Sequence, residues 1–240
     1  MSDASVLKVI CADLPAPPLF WREGETRFGY ESDVARAIAA KLGLECKFVY
    51  QQWGDFYASL NDNTGDILLC GQGISEYRKT LANFTEPYGV FDEAVMVLQD
   101  APYQSLADLK GKRVGAIANS MNMALVDTFD GVIAVPFVGT TDDIMGEMVA
   151  ALRAGEVDAF VDDDVALVPL ANEADLRIVY TAPTQNKWGI AVSKERPETL
   201  VKVNEALQAL KDDGTLKAIW QQWMPNLQYP FERDTVSSVS

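Results

Sequence analysis

Leu60-Asn-Asp-Asn-Thr-Gly-Asp66-Ile-Leu-Leu69 is answered later in the chain by Leu152-Arg-Ala-Gly-Glu-Val-Asp158-Ala-Phe-Val161. In both stretches a leucine that ends a helical pattern stands six residues ahead of an aspartate that opens an apolar run. Helix–turn–Asp–strand joints are common, so the pair is either a chance match or one joint used twice. The flanking sequence bears on the choice.

Before Asp66, residues 7–12 form an apolar strand-like run. Residues 30–42 carry Val34, Ala37, Ile38 and Leu42 at the spacing of an amphipathic helix that Gly43 ends. Residues 46–50 read as a strand, 55–61 as a short helix and 66–70 as a strand running into Gly71. Around Asp158 the order recurs: strand 112–118, helix 121–129, strand 132–137, helix 141–154, strand 157–162. A β-α-β-α-β order implies a parallel sheet with right-handed crossovers, so the chain is α/β with two units of similar order. A strand at 188–192 and helices at 197–212 and 215–224 follow, and the sequence does not say which unit they join.

Composition narrows the functions. The chain has 240 residues, enough for one large or two small domains, with 48% apolar and 23% charged residues. No window holds eighteen uninterrupted apolar residues, so no membrane-spanning helix is expected. The net charge of −15 and a pI near 4.3 disfavour nucleic acid as a partner. There is no histidine, which excludes Ser-His-Asp and Cys-His nucleophilic sites and His-containing zinc sites. Cys11, Cys46 and Cys70 match no metal-binding spacing and sit in apolar runs, where they read as strand cysteines. One disulfide with a leftover thiol is the alternative. No cofactor is expected. Residues 1–5 are polar and carry no signal peptide, and residues 234–240 read as a polar tail.

In parallel sheets, ligands bind beyond the carboxyl ends of strands. Gly71 lies five residues past Asp66, and Asp163 five past Asp158, so both fall where a cleft between two lobes would be lined. In Gly71-Gln72-Gly73-Ile74-Ser75-Glu76-Tyr77-Arg78, the glycines allow close backbone approach and Arg78 suits a carboxylate. A strand-ending turn with a surface arginine is the alternative. Asp162-Asp163-Asp164 would accept an ammonium group, cap a helix, stand solvated or serve as a calcium ligand set, though the EF-hand spacing is absent. Phe20, Trp21, Trp53 and Tyr88 are aromatic-wall or core candidates. Asn119-Ser120 precedes a helix, as an anion site or an ordinary cap.

These pieces together resemble the bacterial solute-binding family 3, the polar amino-acid-binding proteins of ABC importers, over residues 7–223. Phe28-Gly29-Tyr30-Glu31-Ser32-Asp33-Val34 resembles the family's Gly-Phe-Asp-Val-Asp-Leu. The Gly71–Arg78 stretch resembles Gly-x-Thr-x-Thr-x-x-Arg, and Phe84-Thr85-Glu86-Pro87-Tyr88 resembles Phe-Ser-x-Pro-Tyr. Leu106-Ala-Asp-Leu-Lys-Gly-Lys-Arg-Val-Gly115 resembles the opening of the second lobe, and residues 152–163 resemble Leu-x-x-Gly-x-Val-Asp-Ala-x-x-x-Asp. Residues 189–194 and 214–223 resemble the closing segments.

The resemblance implies the type II periplasmic-binding (Venus-flytrap) architecture, two Rossmann-like lobes joined by two hinge strands near 95–100 and 184–189. Lobe one would be residues 1–97 plus 188–240, and lobe two 98–187. It implies Arg78 on a ligand α-carboxylate, helped by backbone groups of Gly71 and Gly73 and by Ser120. It implies Asp163 on the α-ammonium, Trp53 at the aromatic wall and Asp13 as the acid that reads the side chain. Three positions depart from the pattern: Gly73 replaces a Thr or Ser, Ala16 an aromatic and Asn119 a glycine.

The implied function is capture of a small amino acid or related zwitterion by hinge closure, for a membrane permease. The protein would be monomeric, periplasmic or extracellular and membrane-anchored, with its leader removed. A dehydratase-like relative and a receptor's ligand-sensing domain are the alternatives. The dehydratases place a Glu three residues after the position of Asp163, where this chain has Ala166, so no enzyme activity is expected.

Overall fold

A computed structural model describes residues 5–13, 15–118, 120–138 and 143–232. In chain order the elements begin β1 (Val6–Cys11), β2 (Trp21–Glu23), β3 (Thr26–Phe28), α1 (Tyr30–Lys41), β4 (Glu45–Tyr50), α2 (Phe56–Asn61) and β5 (Ile67–Leu68). Next come α3 (Glu76–Leu81), β6 (Asn83–Phe84), β7 (Gly89–Leu98), β8 (Arg113–Ile117), α4 (Met121–Val126), β9 (Ile133–Phe137), α5 (Ile144–Arg153) and β10 (Ala159–Asp163). The last are α6 (Asp164–Leu170), β11 (Leu176–Trp188), β12 (Ala191–Val192), α7 (Pro197–Asp212) and α8 (Thr215–Trp223).

The chain divides into two compact units. The first holds residues 1–12, 28–90 and 187–240, and the second holds 13–27 and 91–186. The chain leaves the first unit inside β7 and returns inside β11. The sequence-based limits of 97/98 and 187/188 lie further along the chain, and residues 13–27 fall in the other unit. That segment closes on itself through the Ala16–Phe20 bridge and the β2–β3 ribbon, so it does not extend the first sheet.

The two units repeat one topology. The first sheet runs β4-β1-β5-β12-β6 and the second, from its far edge, β9-β8-β10-β7-β11. In each, three parallel strands (β4, β1, β5 and β9, β8, β10) are followed by an antiparallel strand from another part of the chain.

The repeated joint is the same structure twice. Thr64 N–H donates to the Ser59 carbonyl and Glu156 N–H to the Ala151 carbonyl, each at 2.9 Å. Asn63 (φ 61°) and Gly155 (φ 69°) take the left-handed conformation that such helix ends require. Asp66 then brackets Lys8, accepting its N–H at 2.8 Å and donating to its carbonyl at 2.8 Å. Asp158 does the same to Arg113, at 2.9 and 2.8 Å. Each aspartate therefore sets the register of its third strand against the first.

In the first unit, α1 buries Val34, Ala35, Ile38 and Ala39 and packs against β1, β4, α7 and α8. The closing helices thus join the first unit. In the second, the strand period of two splits the core between the faces of the sheet. Ala94, Met96, Met148, Leu152 and Phe160 pack on one face, and Val95, Val97, Val114, Ala159 and Val161 on the other. Gly115 lies in the middle of β8, where a Cβ would come 2.6 Å from Phe137 Cε2 and 3.5 Å from Phe160 Cβ. Gly115→Ala is expected to lower stability by about 1–3 kcal/mol through overpacking, which denaturant unfolding would measure. A loss below about 0.5 kcal/mol would mean that Phe137 moves freely.

Several elements differ from the sequence reading. The strand expected at 66–70 shrinks to β5, because the chain turns at Gly71. The helix expected from 141 starts at Ile144, and residues 141–142 lie outside the described residues, as do Asn119 and 234–240. The β2–β3 ribbon, α3, β6 and α6 carry too little periodicity to be read from sequence. Cys11, Cys46 and Cys70 form no disulfide: Cys11 and Cys70 are buried, and burial pushes the half-buried Cys46 thiol up to about 11.

Candidate functional site

The seven candidate residues fall into two sets, four in the first unit and three in the second. Gly71, Gly73, Trp53 and Arg78 lie in the first unit, around the exit of β5. Gly71 is left-handed (φ 58°) and reverses the chain. Its N–H points inward and donates to Glu31 Oε1 at 2.7 Å, and Gly73 N–H returns to the Gly71 carbonyl at 3.1 Å. Both N–H groups expected to face an anion are therefore bonded within the unit. The loop is tied further by Gly189 N–H to Gln72 O (3.0 Å), Ile74 N–H to Lys187 O (2.8 Å) and Tyr57 OH to Gln72 Oε1 (2.9 Å).

Ser75 caps α3 by accepting the Arg78 N–H at 3.2 Å. That cap turns the arginine back over the loop, where Nη1 donates to the Gly73 carbonyl at 2.9 Å. One of five guanidinium donors is thereby used. Burial pushes the Tyr57 hydroxyl up to about 12, while the nearby Arg78 charge pulls the other way. Trp53 sits on a short 3-10 turn, 50% exposed, with its ring centroid 5.2 Å from that of Phe56. Such exposure sets it apart from a core tryptophan.

Beneath the loop lies a buried hydrogen-bonded chain. Tyr30 OH donates to the Tyr88 carbonyl at 2.5 Å, and Tyr88 OH donates to Glu31 Oε1. Burial drives both tyrosine hydroxyls well above their usual range, so they stay protonated donors. Tyr88 stacks on Trp188 with centroids 6.1 Å apart. Tyr88 is thus core. So is Phe20 in the second unit, whose ring carries the Arg27 guanidinium 4.7 Å from its centroid.

In the second unit, Asp163 ends β10 and stands opposite Glu93 of β7 in the antiparallel register. Asp162 and Asp164 flank it, and Asp92 lies beside Glu93 in the chain. Glu93 and Asp162 are buried. Burial raises the pKa of all four inner acids, and like charges add to it. For Asp163 the charges of Asp162, Glu93 and Asp164 follow burial, while a bond from Asn122 opposes them. Asp162 is raised by burial and by Glu93, and Asp164 is pushed up to about 6, chiefly by burial. Glu93 is raised by burial against hydrogen bonds from Thr184 and Asn186. Among the described residues, no group of three or more His, Cys, Asp or Glu is arranged to hold a metal ion.

The other two candidates are committed elsewhere. Ser120 caps α4, accepting Met123 N–H at 3.0 Å and donating its hydroxyl to the Ile117 carbonyl at 2.6 Å. To give a hydrogen bond to a carboxylate, that hydroxyl must leave Ile117. Asp13 pairs with Arg22 at 2.5 Å on the surface.

Glu31, Asn122 and Glu93 are missing from the sequence-based set. Their signal is a polar residue within an apolar pattern: Asn122 between two methionines, and Glu93 in the strand run Gly89–Leu98.

The bacterial extracellular solute-binding protein family 3 model matches residues 9–226. The chain belongs to this family. It is 29% identical to ABC transporter arginine-binding protein 1 of Escherichia coli (strain K12), over 82% of each chain. It is 28% identical to the L-cystine-binding protein TcyJ of the same strain, over 86% of this chain and 78% of that one. A solved structure, an ancestral arginine-binding protein bound to arginine, superposes with a TM-score of 0.77 at 30% identity, covering 92% of this chain and 98% of that one. The solute-binding protein described here thus has the α/β, two-unit fold of type II periplasmic binding proteins.

Proposed function

We propose that this solute-binding protein takes an α-amino acid, with a cationic side chain preferred, and delivers it to the membrane permease of an ABC importer. One observation carries the reading. The exits of the two equivalent third strands bear opposite charge, Arg78 after β5 and the Asp162–Asp164 run with Glu93 at β10. Opposite charges at two such exits suit the two ends of a zwitterion. Arg78 takes the α-carboxylate through its remaining guanidinium donors. Asp163 takes the α-ammonium, Trp53 covers the apolar stem, and the surplus of acids favours a second positive charge. The named arginine-binding relatives support this preference. The reading is binding without catalysis, as in the relatives named as binding proteins. The protein works as a monomer outside the cytoplasm.

The test is a thermal-shift screen of protein refolded to strip bound ligand, run against amino acids, polyamines and betaines. At a thousandfold above its dissociation constant a ligand adds about 4 kcal/mol, roughly 10 °C for a chain of this size. Arginine, lysine or ornithine is expected to give the largest shift. A panel in which only carboxylate-free amines act would remove Arg78 from the reading, and turnover of prephenate would overturn its non-catalytic part.

A further inference from the structure

The repeat extends one step beyond the joint, to the residues that hold the strand exits. Glu31 is the second residue of α1, the first crossover helix of its unit, and Asn122 is the second residue of α4, the first crossover helix of the other. Both are buried polar side chains, at 1% and 6% exposure. Glu31 Oε1 accepts the N–H of Gly71 at 2.7 Å. In one orientation of its amide, Asn122 donates to Glu93 Oε1 at 2.9 Å and Asp163 Oδ1 at 3.3 Å, and in the other to Asp162 Oδ1 at 3.4 Å. In either orientation it bonds the acidic exit of β10. Gly71 and Asp163 are themselves equivalent, each five residues past the aspartate of its joint.

We infer that Glu31 and Asn122 are a matched pair of positioning residues, each pinning the ligand-facing exit of its own unit's third strand. Glu31 acts through Gly71: its bond holds the left-handed turn that aims the Gly73 carbonyl, on which Arg78 Nη1 rests. Asn122 acts through Asp163, giving an N–H to a carboxylate whose neighbours Asp162, Glu93 and Asp164 all carry like charge. Charges and donors are exchanged across the repeat. Where the exit offers a backbone N–H the pin is an acceptor, and where it offers a carboxylate the pin is a donor. Each pin acts through the residue it bonds, Gly71 or Asp163. This inference rests on the roles proposed above for Arg78 and Asp163.

Three probes separate the two ends of the ligand: L-arginine, agmatine (no carboxylate) and 5-guanidinopentanoate (no α-ammonium). Dissociation constants are measured by calorimetry for wild type, Glu31→Leu, Glu31→Gln and Asn122→Leu, each first shown to unfold cooperatively without ligand. Glu31→Leu is expected to weaken arginine at least tenfold and agmatine less than threefold. Asn122→Leu is expected to weaken arginine at least tenfold and 5-guanidinopentanoate less than threefold. Glu31→Gln keeps an acceptor oxygen and is expected to recover most of the affinity. In the ligand-free protein, Gly71 amide exchange is expected to be slow in wild type and Glu31→Gln and fast in Glu31→Leu. Equal losses for all three probes, unchanged arginine binding, or a protected Gly71 amide in Glu31→Leu would each overturn the inference. A wild type that does not prefer arginine to either analogue would instead sink the roles of Arg78 and Asp163, and the inference with them.

Discussion

Arg78→Ala is expected to weaken the tightest amino-acid ligand by about 30- to 1,000-fold, on the order of 2–4 kcal/mol. The guanidinium makes a single hydrogen bond to a carbonyl, Gly73 O, so its charge is left for a ligand carboxylate. A charge-assisted fork onto a carboxylate is worth roughly twice a neutral hydrogen bond, and its loss leaves the ligand carboxylate unmatched. The fold should tolerate the change, since Arg78 is partly exposed on the short helix α3 and the Ser75 cap uses only its backbone N–H. Arg78→Lys keeps the charge without the fork and should fall between the two. Calorimetry with arginine and agmatine checks the cause, because the carboxylate-free amine should be nearly indifferent. Binding within about threefold of wild type, less than about 1 kcal/mol, would remove Arg78 from the site.

Asp163→Asn should change two quantities in opposite directions. Ligand affinity is expected to fall by about 2–5 kcal/mol, the usual loss when one partner of a desolvated charge pair is removed. The ligand-free protein should instead become more stable at pH 7–8, by about 2–6 °C in Tm, a span of roughly 1–2 kcal/mol for this chain length. Asp163 sits against Asp162, Glu93 and Asp164, and burial and these charges all raise its pKa. A raised carboxyl binds more protons folded than unfolded between its unfolded pKa, about 3.9, and its folded value. Stability is therefore complete below about pH 4 and falls as pH rises through that window. For Asp164 the upper limit is about 6. The acids held below their usual range by partners, Asp108, Asp158, Asp175 and Asp213, affect stability only at lower pH.

The ligand-free wild type should thus gain stability between pH 7.5 and 5, and Asp163→Asn should flatten that slope. A cationic ligand, which favours the ionised cluster, should bind more tightly as pH rises over the same range and release protons near pH 6. Differential scanning fluorimetry and calorimetry at several pH values would measure both. A variant less stable than wild type at pH 7.5 would show that Asp163 is chiefly structural.

The sequence carried the architecture well because both periodicities are strong where the chain packs on itself. The β-α-β-α-β order, the helix from Tyr30 and the repeated Leu60–Asp66 and Leu152–Asp158 joints all follow from local side-chain spacing. The charged residues were legible as candidates, since Arg78 closes the segment that begins at Gly71 and Asp163 stands at the matching step past the second joint. What those residues spend their hydrogen bonds on was not legible. Gly71 N–H meets Glu31, Ser120 is closed on Ile117 and Met123, and Asp13 is paired with Arg22.

The sequence by itself determined the α/β class, the doubled unit and the family, because each is written in local periodicity and short motifs. Only the tertiary structure decided that residues 13–27 belong with the second unit, that Glu93 faces Asp163, and that Glu31 and Asn122 reach the strand exits. The physical reason is sequence separation. Glu31 and Gly71 are 40 residues apart, and their bond exists only because two crossovers return the chain to the same end of the sheet, with β5 beside β1. No local pattern of side chains encodes such a meeting. It is set by the register of whole strands, and through it by the two aspartates that lock each third strand to the first.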